Sequence, residues 1–266
     1  MNNFLKNISR AFWFSFVPMN ILGVIAVILL ATGVIPLYYL FVTFFMWILI
    51  GGLGIAVGYH RVFSHKTHQL PRWKENIILF LAVFAGQGSS IFWVAIHRGY
   101  HHPHADTPRD LHSPTIHGLW HAFAGWFNQM TENNPVVNPK YAVDLMRKSN
   151  HVWFHNYQQR ILWGVSLLVL IINWKLAFAG IFLVTAICLF QENVINIIGH
   201  LKLKGSYRNF ETSDNSYNHF LLGYLAWGQG WHNNHHKSPA SYDFGKGVSG
   251  KWWEFDMCRI FLPLLK

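Results

Sequence analysis

Four long apolar segments occur along the chain, arranged as two pairs. Residues 13–35 and 37–59 form the first pair, and residues 161–174 and 176–198 form the second. A helix needs about 20 apolar residues to cross the hydrocarbon core of a bilayer. The shortest segment, 161–174, is therefore expected to be extended by the residues before it or to be tilted. The pattern predicts four transmembrane helices in two hairpins.

The mixed segments 60–160 and 199–266 are predicted to form a helical cap on one side of the membrane. Within the first, glycines and polar residues at 86–90 interrupt the apolar run 77–96, which predicts a short interfacial or re-entrant helix. With four spans, all of the 21 Lys and Arg residues except Lys175 fall on the cap side. The positive-inside rule makes that side cytoplasmic. The expected fold class is an all-α, multi-pass integral membrane protein with both termini cytoplasmic.

Composition agrees with a membrane protein and restricts the classes of partner. The chain is 52% hydrophobic and 12% charged, whereas a soluble domain has about 25% charged residues. Its net charge of +10 is not accompanied by a nucleic-acid-binding motif, so no nucleic acid partner is expected. A basic face suits anionic headgroups, an acidic acyl carrier or an acidic electron donor. Cys188 and Cys258 form no zinc or disulfide pattern.

Histidines recur in the cap at spacings that suit a metal site. Residues 232–236 place three imidazoles at i, i+3 and i+4, positions that share one face of a helix. In residues 97–102 the first two histidines are again four apart, and the third lies one step further round. The histidines of 60–65 are five apart, so they are predicted to lie at a distorted helix end. Neutral imidazoles in such groups bind transition metals.

Asn196 and His200 add a further pair at a spacing of four. The nine histidines singled out are His60, His65, His97, His101, His102, His200, His232, His235 and His236. Nine imidazoles exceed the four ligands of one tetrahedral ion, so two metal ions are predicted. The Asn196 amide can hold a water on a metal, or it can bond across helices. Glu192 on the same helix face is predicted to orient a ligand or hold a water, with a plain interfacial carboxylate as the alternative. The other carboxylates considered for an orienting role, with a purely structural role as the alternative, are Asp106, Asp110 and Asp243.

These motifs resemble the three histidine boxes of membrane fatty acyl desaturases. The stretches that carry the resemblance are 60–65, 93–102 and 230–236, together with 110–114 and 118–121 after the second box. The resemblance implies two irons under a four-helix anchor, held by the nine histidines, with Asn196 acting through water. It also implies O2 as co-substrate, two electrons from a ferredoxin or a small haem protein, and a cis double bond made in a saturated acyl chain.

Three positions depart from the family pattern. His97 and His101 are separated by three residues, where acyl-CoA desaturases commonly have two. Gln229 stands where the family often has Glu. Ala95 and Ile96 stand where animal acyl-CoA enzymes carry the Arg-Asp pair that contacts CoA. Coenzyme A, acyl carrier protein and membrane lipid all stay open as the carrier of the acyl chain.

Two other functions are compatible with some of these features. A hydroxylase on the same di-iron scaffold begins with the same hydrogen abstraction, and the sequence does not separate it from a desaturase. A membrane metal transporter or metal-binding regulator would also need clustered histidines. Transport is disfavoured because the apolar segments hold few ionisable groups and the histidines lie at or beyond one face of the membrane.

Overall fold

A computed structural model describes residues 12–129 and 138–266, which are mostly helical. The α-helices are Val17–Ala31, Tyr39–Trp47, Arg72–Val83, Ser90–Ile96, His102–His104, Pro114–His117, Trp126–Gln129, Val143–Met146, Ser149–Ile172, Trp174–Ala177, Leu183–Ile198, Phe220–Leu225, His232–Lys237, Lys246–Ser249 and Leu262–Leu265. The π-helices are Phe12–Phe16, Ile48–Ser64, His97–His101, His121–Gly125 and Phe178–Phe182, and the 3-10 helices are Pro139–Ala142 and Met257–Phe261. Two short antiparallel strands, Ser206–Tyr207 and Asn218–His219, pair Ser206 with His219.

Consecutive helical elements join into three helices that are long and apolar enough to cross a membrane, counted over the described residues. They are Phe14–Ala31, Tyr39–Ser64 and Trp174–Ile198. These helices correspond to the predicted segments 13–35, 37–59 and 176–198. The remaining apolar segment, 161–174, makes up the second half of the helix Ser149–Ile172, which begins in polar sequence. The apolar segments are thus helical, and one belongs to a helix longer than its apolar part.

Close backbone contact joins the helix Tyr39–Ser64 to the helix Arg72–Val83. A Cβ atom at Gly54 would lie 3.0 Å from the backbone nitrogen of Ala82, and one at Gly58 would lie 2.1 Å from the Ile78 side chain. Glycine is therefore required at both positions for the two helices to approach this closely. The contact places the second helix directly beside the segment that delivers His60.

The apolar run 77–96 is interrupted, as its glycines predict. The helix Arg72–Val83 ends, two glycines adopt positive φ, and a new helix begins at Ser90. Thr185 Oγ1 donates to the carbonyl oxygen of Phe84 at 2.6 Å, and Gln87 Nε2 donates to the carbonyl of Cys188 at 3.3 Å. Polar groups at the break between the two helices are therefore hydrogen-bonded to the helix Leu183–Ile198. Non-helical backbone in an apolar setting needs such partners.

A buried ion pair joins the C-terminal segment to the helix Tyr39–Ser64. Arg61 Nη2 lies 2.8 Å from Asp256 Oδ2, and both side chains are fully buried. Arg61 Nε donates to the carbonyl of Tyr242 at 2.8 Å, and the guanidinium lies 3.9 Å from the centroid of the Phe244 ring. Because Arg61 directly follows His60, the pair also fixes the first histidine group against the segment that follows the third.

Replacing Asp256 with Ala is expected to lower the free energy of unfolding by about 3–5 kcal/mol, because it leaves the Arg61 charge buried without a partner. Thermal unfolding of the detergent-solubilised protein measures the change. Lys66→Gln is the control, since Lys66 pairs with Asp144 at 3.2 Å but its side chain is 64% exposed, and such pairs contribute about 0–1 kcal/mol. Equal losses in the two variants would contradict a special role for the buried pair.

Candidate metal centre

The nine predicted histidines gather into two adjoining clusters. Within each cluster, one nitrogen of every ring lies within 4.8 Å of one nitrogen of every other ring. Cluster A contains His60, His65, His97, His102 and His235. Cluster B contains His101, His200, His232 and His236. Histidines that are as much as 175 residues apart in sequence, His60 and His235, are thus in direct contact.

A π-helical turn decides which cluster each histidine of the second group enters. The backbone N–H of His102 donates to the carbonyl of His97, five residues earlier. This i→i+5 bond turns both rings toward cluster A, whereas His101 points into cluster B. The expectation that His97 and His101 would share a face assumed an α-helix. The extra residue in a π-helical turn changes the pairing.

A π-helical turn also positions the first histidine group, His60 and His65. The π-helix Ile48–Ser64 ends there, and the N–H of His65 donates to the carbonyl of His60 at 3.1 Å. The predicted distorted helix end is confirmed, and both rings lie in cluster A. In the third group the i, i+4 pair His232 and His236 lies in cluster B, as α-helical geometry requires, and His235 turns to cluster A.

Asparagines hold the third group in place. The Asn233 side-chain oxygen accepts hydrogen bonds from the backbone nitrogens of Asn209 and Phe210, both at 2.9 Å. Asn234 Nδ2 donates to the buried carboxylate of Glu254 at 2.6 Å. The two residues between His232 and His235 therefore bond outward to neighbouring loops, and the histidines are left facing inward.

The Nε2 atoms of cluster A point at one another. The separations are 2.9 Å for His60–His235, 2.9 Å for His102–His235, 3.0 Å for His97–His102 and 2.9 Å for His65–His97. Five nitrogens so close together cannot all be satisfied by hydrogen bonds to one another. Two nitrogens bound at right angles to an ion at about 2.1 Å are about 3.0 Å apart. The donor set thus fits a metal ion.

Cluster B has the same character. His200 Nε2 and His232 Nε2 are 2.9 Å apart. His236 Nε2 is buried and has no hydrogen-bond partner among residues 12–129 and 138–266. A buried polar atom without a partner costs about 1–3 kcal/mol, and a metal ion would satisfy it. Both clusters can therefore hold an ion.

Carboxylates contact the outer nitrogens of cluster B. His200 Nδ1 lies 2.9 Å from Asp106 Oδ2, and His101 Nδ1 lies 3.4 Å from Asp110 Oδ2. Asp106 and Asp110 thus occupy the orienting positions considered from the sequence. Asp243 instead pairs with Arg259 at 2.5 Å. Its role is thus the purely structural one that was considered as the alternative.

Sequence reasoning missed the third carboxylate, Asp214. Its Oδ2 lies 2.7 Å from Nδ1 of His236. Asp214 has no regular spacing from the apolar residues or from the histidines. Its contact with His236 is therefore visible only in the folded structure. His112 was also not selected; it is buried and its Nδ1 lies 3.5 Å from Asp110 Oδ1, beside cluster B.

Most of the cluster histidines outside the helix Tyr39–Ser64 are held neutral. Burial lowers the pKa of His65 to about 3 and that of His236 to about 4, because a charged ring would lose its hydration. The pKa is lowered well below the ordinary value, again first by burial, for His97, His102, His232 and His235. His101 is the exception: burial lowers its pKa, but Asp110 and nearby carboxylates raise it overall. Neutral imidazole is the form that binds metal.

A cavity of about 50 Å³ adjoins cluster A. Its apolar walls include Trp93, Ile96, Trp126 and Leu189, and His97 of cluster A also lines it. Asn196 and Glu192 supply polar groups on the same lining. Half of the twelve lining residues are apolar and half are polar. The volume is smaller than the roughly 300–1,000 Å³ of small-molecule sites.

Glu192 is connected to cluster A through another side chain. Gln229 Nε2 donates to Glu192 Oε1 at 2.6 Å, and Gln229 Oε1 lies 3.1 Å from Nδ1 of His60. Glu192 therefore lies near His60, with the Gln229 amide between its carboxylate and the ring.

The family follows from comparison with known proteins. Residues 36–246 match the family model described as fatty acid desaturase. The chain belongs to the fatty acid desaturase family. The sn-2 palmitoyl-lipid 9-desaturase of a Nostoc species is 32% identical over 226 residues, which cover 84% of this chain and 76% of that protein. The sn-1 stearoyl-lipid 9-desaturase of Anabaena variabilis is 31% identical over 254 residues, covering 95% and 85%.

A third relative is named for a different activity. The hex-5-enoyl-[acyl-carrier protein] acetylenase of Moorena producens is 31% identical over 230 residues, covering 80% of this chain and 69% of that protein. Membership of the family makes this chain a fatty acyl desaturase, an oxidoreductase, and confirms the resemblance read from the histidine boxes. Desaturases of this family are generally di-iron enzymes, and the two clusters can hold two ions.

Proposed function

We propose that this desaturase introduces a cis double bond into a saturated acyl chain carried by a membrane lipid. The observation that carries the proposal is the cavity that adjoins cluster A, includes His97 in its wall and takes half of its lining from apolar side chains. A methylene in the middle of an acyl chain offers no polar group to bind, so its position must be set by the shape of an apolar cavity.

Each cluster is proposed to hold one iron. Cluster A supplies five imidazoles and cluster B supplies four, with Asn196 acting through a water at the cavity wall. When bound, the iron pair supplies O2 activation and the abstraction of hydrogen from unactivated methylenes. The chain's own residues keep most of the rings neutral, orient them and exclude water around the acyl chain. The two electrons are proposed to come from an acidic carrier, such as a ferredoxin or a small haem protein, attracted by the net charge of +10.

The neighbourhood of the second histidine group favours a lipid-linked substrate over coenzyme A. Ala95 and Ile96 are buried, and Ile96 lines the cavity, so these positions offer no charged group to a CoA head. The Nostoc and Anabaena relatives are named as acyl-lipid desaturases. Both facts support an acyl chain that enters from the bilayer while still attached to a lipid.

We also propose four membrane spans with the clusters on the cytoplasmic side. The helix Tyr39–Ser64 ends near His60 and the helix Trp174–Ile198 ends near His200, and both histidines lie in adjoining clusters. The two helices therefore run in the same direction, so the chain must return across the membrane between them. The helix Ser149–Ile172 has 24 residues, about 36 Å at 1.5 Å per residue. Its apolar second half is proposed to make the return, tilted or extended by the residues before it.

The function is tested by expressing the chain in a host that makes no unsaturated fatty acids and analysing each lipid class. We expect a new double bond in the acyl chains of intact lipids, two irons per chain, and loss of the product and of the cluster A iron in His235→Ala. His68→Ala is the control, because His68 lies outside both clusters. A product heavier by about 16 daltons would identify a hydroxylase, and an active His235→Ala enzyme would contradict the metal centre.

The cavity is tested by filling it. Leu189→Trp, at a buried position on the cavity wall, is expected to lower turnover at least tenfold while the iron content is unchanged. Phe190→Trp places the same ring at the next residue, whose side chain is 58% exposed on the outer face of the helix, and should leave turnover unchanged. Unaltered turnover in a folded, iron-loaded Leu189→Trp protein would show that the substrate binds elsewhere.

The topology is tested by cysteine labelling in intact cells. A membrane-impermeant maleimide is expected to label Lys175→Cys from outside, because Lys175 begins the last span on the side opposite the clusters. Lys204→Cys, exposed just after that span, should be labelled only after the cells are permeabilised. The two native cysteines are buried, so the wild-type protein serves as the blank. Labelling of both variants from the same side would exclude four spans.

A further inference from the structure

The two clusters differ in what their outer nitrogens contact. Three of the four rings in cluster B face a carboxylate: His200 faces Asp106 at 2.9 Å, His236 faces Asp214 at 2.7 Å, and His101 faces Asp110 at 3.4 Å. The carboxylate side chains are 5%, 10% and 0% exposed, in the same order. Cluster B is thus surrounded by three buried negative charges.

Cluster A has no such charge beside it. Within the described part of the chain, no carboxylate lies within 4.0 Å of the ring nitrogens of its five histidines. His60 Nδ1 faces the neutral amide of Gln229, and His235 Nδ1 is buried without a hydrogen-bond partner among the same residues. Glu192 is the closest acid in this network, and the Gln229 amide separates it from the ring.

We infer that the clusters hold their metal ions with unequal strength: cluster B holds a tightly bound ion, and cluster A holds an exchangeable one. The inference rests on the proposed division of the two irons between the clusters. A carboxylate on the outer nitrogen makes an imidazole a stronger ligand and fixes its tautomer, and losing one such partner typically costs 10–100-fold in metal affinity. Its charge also offsets that of a buried cation, whereas the fifth imidazole of cluster A adds a bond and no charge.

Gln229 is assigned a positioning role for His60. Its oxygen accepts from Nδ1–H of the ring, which leaves Nε2 free to face the ion, and its nitrogen donates to Glu192. The amide therefore fixes the tautomer of His60 without bringing a negative charge to the ring. Gln229 therefore keeps a negative charge away from the outer nitrogen of His60 in cluster A.

The inference is tested by the release of iron from the anaerobically loaded full-length protein in detergent, challenged with excess chelator. Wild-type protein is expected to release one equivalent quickly and one slowly. His65→Ala should remove the fast phase and His200→Ala the slow one. Asp214→Asn, with Asp106→Asn as a second variant, should accelerate the slow phase about 10–100-fold and leave the fast phase unchanged. Gln229→Leu should accelerate only the fast phase.

Asp243→Asn is the matched control, because it makes the same chemical change at a carboxylate that contacts neither cluster, and both phases should stay as in wild type. Release of both ions in one phase, or an effect of Asp214→Asn on the phase that His65→Ala removes, would overturn the inference. Two phases without desaturation would support it while contradicting the proposed reaction. Desaturation with single-phase release would support the proposed reaction and overturn the inference of unequal binding. Binding of fewer than two ions would overturn both the inference and the proposed reaction.

Discussion

Nine imidazoles packed into one small volume are the constraint on which the rest of the structure depends. Rings with Nε2 atoms as close as 2.9 Å cannot all carry a proton on the inner side, and burial removes the water that would otherwise stabilise a charge. The surrounding chain must therefore supply a partner for the outer nitrogens and hold the loops that carry them. Asp106, Asp214 and Gln229 do the first, and Asn233 and Asn234 do the second by bonding to neighbouring segments.

Much of the centre was predictable from sequence because spacing and apolar length are local properties. The i, i+4 pair His232 and His236 lies on one face of a short helix, and the interrupted run 77–96 breaks where its glycines stand. Both follow from rules that need only neighbouring residues. The family resemblance likewise depends on three short stretches, so it could be recognised before any contact was known.

What sequence did not provide was the division of the histidines between clusters and most of their outer partners. His97 was paired with His101 on α-helical geometry, but a π-helical turn pairs it with His102. Such turns have no recognisable residue pattern here, since they are stabilised by the packing that they serve. Asp214 approaches His236 through an irregular loop, and Gln229 bridges residues that are 169 and 37 positions away. These contacts depend on the tertiary structure alone.

One feature of the clusters has a mechanical consequence. Neighbouring residues face different clusters at two places: His101 and His102 in the second group, and His235 and His236 in the third. Consecutive Cα atoms are held 3.8 Å apart by the peptide bond, so two separate backbone links tie the clusters together at a constant spacing. Any shift of either helix must carry both clusters along with it. The spacing of the two clusters is thus constrained by covalent geometry.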